Sequence, residues 1–341
     1  MNSTQILLQT NDLTIGYATP RQPPLIVAQD LNLALKAGDL VCLIGPNGAG
    51  KSTLLHTLAG THRPLDGQVL LMGDDLHRLK AGELAKRLSI VLTTHPDMGL
   101  MTGYGLVALG RHPYTGWSGG LTAHDEAVIQ DAVIAVDAAE FAARPVSQLS
   151  DGQRQKIWMA RALAQEPAVL LLDEPTAYLD LPRRVEMMNL LRRLTRESGR
   201  AILLSTHDLD LALRTADRLW LLSADGEMHI GAPEDLILNG VFEAVFRNEG
   251  VQFDAHTGAF KVNPVQIGQV QLSGEGLTYQ WTRRALERAG FAIITENTAI
   301  HIEVVDQNTW KLHHSDSNMD YHSLYGLITS LNVMLHSSRH D

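Results

Sequence analysis

The sequence predicts an α/β fold with a mostly parallel central sheet, and three apolar runs together with one glycine-rich segment support that prediction. The runs occupy residues 40–44, 168–172 and 201–204, and each is followed at once by glycine or polar residues. Continuous apolar runs are typical of parallel strands that are buried on both faces. Because the carboxyl ends of parallel strands meet at one edge of a sheet, we expect the residues after these runs to lie together.

The glycine-rich segment, residues 45–53, matches the phosphate-binding pattern Gly-x-x-x-x-Gly-Lys-[Ser/Thr]. It lies between the run 40–44 and a helical pattern at 53–58, which is the setting that this motif requires. The backbone N–H groups of such a loop surround a phosphate, and the helix N-terminus adds a positive dipole end. Lys51 is expected to reach the β- and γ-phosphates, and the Ser52 hydroxyl to ligate Mg²⁺. The predicted nucleotide ligands of the loop are Gly45, Pro46, Asn47, Gly48, Ala49, Gly50, Lys51, Ser52 and Thr53.

Two carboxylates follow the run 168–172, and a histidine lies just beyond the run 201–204. Adjacent acids at the end of a buried strand are costly to bury without a metal or another partner. We therefore expect Asp173 to hold Mg²⁺ through water and Glu174 to act as general base on the attacking water in NTP hydrolysis. A lone histidine is more often structural, but the place of His207 at the same rim favours a contact with the γ-phosphate.

Composition narrows the classes of function. With 341 residues, of which 45% are hydrophobic and 19% charged, the chain can bury a sizeable core in two or three domains. The net charge of -10 disfavours nucleic acid as a partner. The single cysteine, Cys42, cannot form an internal disulfide and is expected in the core. No signal peptide and no apolar stretch of about 18 residues is visible, so no segment is expected to span a membrane by itself.

Residues 5 to about 240 resemble the nucleotide-binding subunit of ABC transporters. The resemblance rests on the phosphate loop as Walker A, on Leu-Ser-Asp-Gly-Gln at 149–153 as signature, and on residues 170–174 as Walker B. It also rests on Ala-Tyr-Leu-Asp at 177–180 as D-loop, on His207 as switch histidine, and on Tyr17 as the aromatic residue that stacks on adenine. The implied fold class is an α/β P-loop NTPase cassette with a mixed sheet core, an antiparallel β region and a helical subdomain.

The implied domain organisation places the ABC cassette at residues 1–240, with the helical subdomain inserted at about 93–165. A linker follows at 241–264, and a small α/β domain, regulatory or dimer-stabilising by analogy, at 265–341. This last part contains several histidines, which we interpret as surface residues, with a metal-sensing role as the alternative. These histidines are His301, His313, His314, His322, His336 and His340.

The resemblance also implies a mechanism and a set of partners. Two cassettes would form a head-to-tail homodimer in which Ser150, Gly152 and Gln153 of one subunit close over the ATP held by Lys51 of the other. Mg²⁺ would be the cofactor. Polytopic permease subunits would dock at the cytoplasmic face of the inner membrane, where the chain would be peripheral, and an extracytoplasmic substrate-binding protein would act indirectly.

Two local features are similar to importers of iron–siderophore, haem and cobalamin complexes. They are Val-Ala-Leu-Gly-Arg-His-Pro-Tyr at 107–114 and the aspartate Asp151 in the signature, where glycine is commonest in the wider family. The sequence thus predicts the ATP-hydrolysing subunit of an importer for one of these complexes.

A third feature departs from the family. Thr93 stands where the family normally has the glutamine of the Q-loop. Its hydroxyl can still bind Mg²⁺ or water, so the predicted metal ligands are Ser52, Asp173 and Thr93. The departure leaves open a regulatory cassette that binds ATP without turnover. A soluble ABC ATPase of DNA repair or translation is a further alternative, although such proteins usually carry two cassettes or a long coiled-coil insertion.

Overall fold

A computed structural model describes the greater part of the chain, namely residues 5–94, 96, 98–116, 119–247, 251–254, 259–262, 266–295, 298–314 and 317–337. The chain divides into two compact units, Met1–Phe246 and Arg247–Asp341. In the parts that the structure describes, no helix combines the length and the apolar character needed to cross a membrane.

The first unit contains the strands of two sheets. They are β1 (Ile6–Tyr17), β2 (Leu25–Leu31), β3 (Ala34–Lys36), β4 (Leu40–Ile44), β5 (Asp66–Leu71), β6 (Asp74–Asp75), β7 (Leu88–Val91), β8 (Val169–Asp173), β9 (Ala201–Ser205), β10 (Arg218–Leu222) and β11 (Met228–Gly231).

Its α-helices connect and cover these strands. They are α1 (Lys51–Leu58), α2 (Ala81–Arg87), α3 (Gly103–Ala108), α4 (Ala123–Ala135), α5 (Asp151–Ala164), α6 (Leu181–Ser198), α7 (Leu209–Thr215), α8 (Pro233–Leu238) and α9 (Val241–Phe246). Short 3-10 helices lie at Leu76–Arg78, Leu109–Arg111 and Val146–Gln148. The longest helix, α6, has a clear start and stop, because the Asp180 side chain caps its first turn and Gly199 ends it with φ 67°.

The core sheet has the order β11-β10-β4-β9-β8-β7, and all neighbours are parallel except β10 and β11. The strands β4 and β9 are buried at every position, as their unbroken apolar runs predict. Cys42 lies in the middle of β4, and burial raises the pKa of its thiol, so it behaves as a small core residue. The predicted α/β cassette fold is confirmed by this sheet and by its structural relatives, given below.

A second sheet is antiparallel and has the order β2-β1-β5-β6, with β3 also paired to β1. The two sheets share one hydrophobic core, in which Leu8 and Val69 from the antiparallel sheet lie in the same cluster as Leu43, Leu171 and Leu203 from the parallel one. The antiparallel region therefore supports the loop after β4 from the side of β1 and β2.

The helical region lies between β7 and β8 in sequence, and Arg111 connects parts of it that are far apart in the chain. This guanidinium is 1% exposed and donates to Asp125 at 2.8 Å, to Glu166 at 2.7 Å and to the carbonyl of Ala164 at 2.8 Å. The Tyr114 ring lies 4.0 Å beneath it. A buried arginine needs this complete set of partners, so residues 107–114 form a structural junction.

The described residues of the second unit form an antiparallel pair of strands, a larger mixed sheet and two helices. Its elements are β12 (Val251–Asp254), β13 (Ala259–Val262), β14 (Gly268–Ser273), α10 (Gly276–Arg288), β15 (Phe291–Ile294), β16 (Ile300–Val304), β17 (Trp310–His314), β18 (Ser317–Tyr321) and α11 (Leu324–Ser337). The larger sheet has the order β15-β14-β16-β17-β18. Trp310 is buried in its core and donates from Nε1 to Thr282 of α10 at 2.7 Å. The segment 241–264, expected to be a linker, contains α9 and the β12–β13 pair.

The junction at Arg111 leads to a prediction about acid stability. The pKa of Asp125 falls from 3.8 to about 2, first because the Thr122 side chain and backbone donate to it and then because Arg111 does. A lowered pKa stabilises the folded state above pH 3.8, and this contribution is lost as the pH falls through about 2. We expect the melting temperature, measured by circular dichroism, to fall less steeply for Asp125→Asn than for the wild type as the pH is lowered from 3.8 to about 2. Glu126→Gln, an exposed carboxyl on the same turn, should follow the wild type; an Asp125→Asn curve parallel to the wild type would contradict the prediction.

Candidate functional site

The loop after β4 leads directly into α1, and the N–H groups at the start of that helix can bind an anion. Gly50 is the N-cap residue of α1 with φ 104° and has no side chain to cap the helix. The first N–H groups of a helix lack partners within the helix, and the dipole is positive there. A phosphate group supplies the acceptors that this end of α1 needs.

Two glycines allow the backbone of the loop to take its path. Gly45 has φ 155°, and a Cβ at this position would collide with the backbone carbonyl of Leu222 in β10. Gly48 has φ 80°, and no atom lies within 4 Å of the position where its Cβ would be. The loop is therefore pressed against β10 at Gly45 and is open above Gly48, where a ligand can approach the backbone closely.

Lys51 is 7% exposed and lies along this loop. Its ammonium group donates to the carbonyl oxygens of Gly45 at 2.9 Å and Pro46 at 3.0 Å. Burial lowers the pKa of Lys51, and the nearby carboxylates of Glu174 and Asp173 act in the opposite direction. The lysine thus stands between the phosphate loop and the acidic rim, close enough to both to bind a phosphate held over the loop.

Asp173 ends β8, and hydroxyl groups from both neighbouring strands hold its carboxylate. The parallel pairing of β8 with β9 sets Asp173 opposite Ser205. Ser205 Oγ donates to Oδ1 of Asp173 at 2.8 Å. On the other side, Thr93 Oγ1 donates to Oδ2 at 3.1 Å and to the backbone carbonyl of Asp173 at 2.9 Å. The carboxylate is therefore fixed in orientation by neutral donors.

Glu174 has a left-handed backbone with φ 49°, which costs a non-glycine residue about 1–2 kcal/mol. Contacts to the next strand hold it in place. Its N–H donates to the carbonyl and to Oγ of Ser205 at 3.2 and 3.0 Å, and its Oε1 lies 2.6 Å from His207 Nε2. The predicted pair of catalytic residues, Glu174 and His207, is therefore in direct contact at the edge of the core sheet.

Tyr17, the predicted adenine-stacking residue, lies at the end of β1 and is 47% exposed. Its phenol shares a hydrogen bond of 2.8 Å with the hydroxyl of Thr53 in α1. The His62 ring lies 5.2 Å from the Tyr17 ring, and its Nε2 donates to the carbonyl of Gly16 at 2.7 Å. The phosphate loop thus has a partly exposed aromatic surface beside it, suited to the face of a base.

The signature residues form a separate group at the start of α5. Ser150 caps this helix, and Ser150 and Gln153 exchange hydrogen bonds between side chain and backbone at 3.3 and 3.1 Å. Together with Gly152 they line a cleft of about 220 Å³ against Arg183 of α6. Within the described residues, no hydrogen bond or ion pair connects this group to the loop 45–53. Within one chain the predicted site residues thus form two separate groups, which we call half-sites.

Sequence reasoning missed two residues of the site. Ser205 contacts both Asp173 and Glu174, and His62 supports Tyr17. A signal for Ser205 existed, because it ends the buried run beside His207 and parallel strands bring such ends together. No local pattern indicates His62, which reaches Tyr17 through the packing of the turn after α1.

The oxygen ligands at this rim suit Mg²⁺. Ser52 is exposed at the start of α1, and Asp173 presents a carboxylate. Mg²⁺ is usually held by one or two carboxylates together with substrate phosphates, so few protein ligands are needed. In the described part of the chain, this rim included, no group of three or more His, Cys, Asp or Glu residues is placed to hold a metal ion. Of the histidines considered for metal sensing, His340 and the side chain of His336 lie outside the described residues.

Two family models match the chain. Residues 28–177 match the model described as ABC transporter, and residues 267–332 match the iron ABC transporter C-terminal domain. The first match contains the phosphate loop, the signature residues and the acids of β8. The second falls within the second compact unit. The resemblance inferred from the motifs is confirmed by these matches.

Curated proteins and solved structures agree with the family models. An ABC transporter ATP-binding protein of Methanocaldococcus jannaschii is 40% identical over 262 residues, which are 76% of this chain and 89% of that protein. The achromobactin transport ATP-binding protein of Dickeya dadantii is 39% identical, covering 70% of this chain and 87% of the relative. The dimeric structure of the bacterial ABC transporter cassette MJ0796 has a TM-score of 0.58 at 28% identity, covering 67% of this chain and 99% of the cassette. That cassette has also been solved in a post-hydrolysis state bound to ADP and Pi.

The contrast between the two loop glycines can be tested directly. In Gly45→Ala the new methyl group meets the carbonyl of Leu222, so we expect the free energy of unfolding to fall by about 3 kcal/mol. Gly48→Ala adds only the strain of a left-handed alanine, about 1 kcal/mol, because the space above it is open. Urea unfolding followed by fluorescence measures both values. Equal losses in the two variants would show that the approach of β10 to the loop is not tight.

Proposed function

The chain belongs to the ABC transporter family as an ATP-binding subunit with ATPase activity coupled to transport, and we propose that it powers the import of an iron complex, a siderophore or haem, or of cobalamin. The observation that supports nucleotide hydrolysis by this chain is the contact of Glu174 with His207 beside Asp173 and Lys51. A general base, a phosphate-binding lysine and a metal-binding carboxylate at one rim are the parts that hydrolysis of a nucleotide requires.

In the proposed mechanism each residue acts through the geometry described above. The N–H groups of the loop and Lys51 bind the β- and γ-phosphates, and Tyr17 stacks on adenine. Glu174 accepts the proton of the attacking water on the carboxylate oxygen that faces away from His207, while His207 holds the other oxygen. When bound through Ser52 and Asp173, Mg²⁺ would neutralise the charge that develops on the phosphates.

A second copy of the chain would complete the site. Ser150, Gly152 and Gln153 lie at the start of a long helix but apart from the loop of their own chain. In a head-to-tail homodimer this helix start would face the γ-phosphate that the partner holds at Lys51, where the helix dipole favours an anion. The dimeric structure of the MJ0796 cassette supports the formation of a dimer.

The proposed cargo rests on the second unit and on one relative. Residues 267–332 match the iron ABC transporter C-terminal domain, and the relative from Dickeya dadantii serves achromobactin transport. Residues 107–114, which suggest the same group of importers, surround the buried Arg111 and hold the fold together. They therefore indicate membership of this group of importers and not a contact with the cargo. The permease and an extracytoplasmic binding protein would make the contacts with the cargo.

The proposed permease contact is a cleft of about 620 Å³ that runs from Thr93 to the start of α5. Its walls include Met98, Arg154 and Tyr178, and Tyr178 is 83% exposed. The cleft connects the segment that carries Thr93 with the helix that carries the signature, so a protein docked there would touch both half-sites. Such a contact would keep the chain at the cytoplasmic face of the inner membrane as a peripheral subunit.

The role of Glu174 gives the test of the proposed function. We expect Glu174→Gln to lower Mg-ATP turnover at least about 100-fold, because it removes the general base, and to accumulate an ATP-dependent dimer. Phosphate release measures turnover, and light scattering after gel filtration measures the dimer. Lys51→Ala is the control, since it should abolish the dimer as well as turnover.

Each outcome has a separate meaning. Turnover by Glu174→Gln at the wild-type rate would exclude this residue as the base. Binding of ATP by the wild type without turnover, even with its permease present, would favour a regulatory cassette. Failure of the chain to co-purify with a polytopic membrane protein would favour a soluble ABC ATPase.

A further inference from the structure

We propose that Thr93 and Ser205 form a hydroxyl clamp that positions the Asp173 carboxylate for a divalent metal–nucleotide complex, and that Ser205 also positions Glu174. The inference rests on the proposed function, because it concerns how the same site binds its metal. It assigns Thr93 a role different from the direct metal ligand expected from the sequence. It also gives a role to Ser205, which no motif includes.

The two hydroxyl groups donate to the same carboxylate from positions at the ends of two different strands. Ser205 ends β9 and donates to Oδ1 of Asp173, while Thr93 follows β7 and donates to Oδ2. Both β7 and β9 pair with β8, so the donors stand on opposite sides of the strand that carries Asp173. Each carboxylate oxygen has two acceptor positions, and the clamp occupies one on each. The remaining positions stay free for a metal-bound water.

The chemistry of the donors is as important as their position. A hydroxyl group is neutral, so it fixes the direction of a carboxylate without cancelling its charge. An arginine in the same place would pair with the charge and compete with a cation. Ser205 is 1% exposed, which protects its hydrogen bond from competition with water. Asp173 is therefore oriented in advance by donors that do not compete with a divalent cation.

Thr93 is placed to act through Asp173. Its hydroxyl proton is shared between the backbone carbonyl at 2.9 Å and Oδ2 at 3.1 Å of the same residue. Both contacts lead to Asp173, so the threonine is tied to the carboxylate and is a positioning residue. Carboxylates that ligate metals are commonly held by such outer hydrogen bonds, whose loss lowers metal affinity about 10- to 100-fold.

Ser205 has a second contact that Thr93 lacks. Its Oγ accepts the N–H of Glu174 at 3.0 Å, and its carbonyl accepts the same N–H at 3.2 Å. These bonds hold Glu174 at φ 49°. One buried hydroxyl thus connects the residue proposed to bind the metal with the residue proposed to activate water. Loss of the Ser205 hydroxyl should therefore affect both metal binding and turnover, whereas loss of the Thr93 hydroxyl should affect metal binding alone.

The experiment compares isosteric and conservative variants of the full chain. Mn²⁺ replaces Mg²⁺, and electron paramagnetic resonance measures its affinity in the presence of ADP, independently of turnover. We expect Thr93→Val and Ser205→Ala each to weaken Mn²⁺ about tenfold. Thr93→Ser and Ser205→Thr, which keep the hydroxyl, should restore the affinity.

Turnover at saturating Mg²⁺ then separates the two roles. The kcat of Thr93→Val should return to the wild-type value, because only metal affinity is affected. The kcat of Ser205→Ala should stay about tenfold low, because Glu174 is also displaced. Unchanged Mn²⁺ affinity in both variants would overturn the clamp, as would a kcat for Ser205→Ala that recovers fully.

An Asp173→Ala background distinguishes the clamp from direct ligation. If Thr93 acts through Asp173, Thr93→Val should cause no further loss of Mn²⁺ affinity once the carboxylate is gone. A further tenfold loss would show that Thr93 is itself a ligand and would overturn the proposal. Metal-free binding of ADP and the melting temperature serve as controls for folding. If the wild type itself neither bound nor hydrolysed Mg-ATP, the proposed function would fail first and the clamp with it.

Discussion

The parallel pairing of β8 with β7 and β9 is the constraint on which the site depends. It brings the ends of three buried strands to one edge, so that Asp173 stands opposite Ser205 and within reach of Thr93. Such strands can be apolar at nearly every position only because both faces of the sheet are covered. The same burial that stabilises the core therefore places charged residues at its rim, where they remain accessible to a ligand.

The charged groups at this edge of the sheet have different neighbours, which determine what each can bind. Lys51 stands between the carbonyls of the phosphate loop and the carboxylates of Asp173 and Glu174. Asp173 is held by hydroxyl groups, whereas Glu174 is held by His207. Acids that are side by side in the sequence thus have different partners. In the proposed mechanism, these different partners suit Asp173 to binding a metal and Glu174 to activating water.

The division into half-sites explains why a chain with a complete set of motifs is expected to work as a pair. The phosphate loop and the acids form one connected group, and the start of α5 with its cleft against α6 forms another. Arg111 connects the 3-10 helix at Leu109–Arg111 with α4 and with the end of α5, so these parts of the helical region are held together. The cleft at Thr93 lies where both groups can be reached by one partner.

The amino-acid sequence by itself determined the family and the fold class, and it predicted the principal site residues. It could do so because the phosphate loop, the signature and the acids after β8 are local patterns whose chemistry depends on neighbours in the chain. Only the tertiary structure decided that Thr93 donates to Asp173, that Ser205 joins Asp173 to Glu174, and that residues 107–114 enclose a buried arginine. These contacts connect residues far apart in sequence, such as Thr93 and Asp173, and depend on strand order and register. A local sequence motif does not contain that information. Serine and threonine are common residues, and only the pairing of strands determines which of their hydroxyl groups contact a carboxylate.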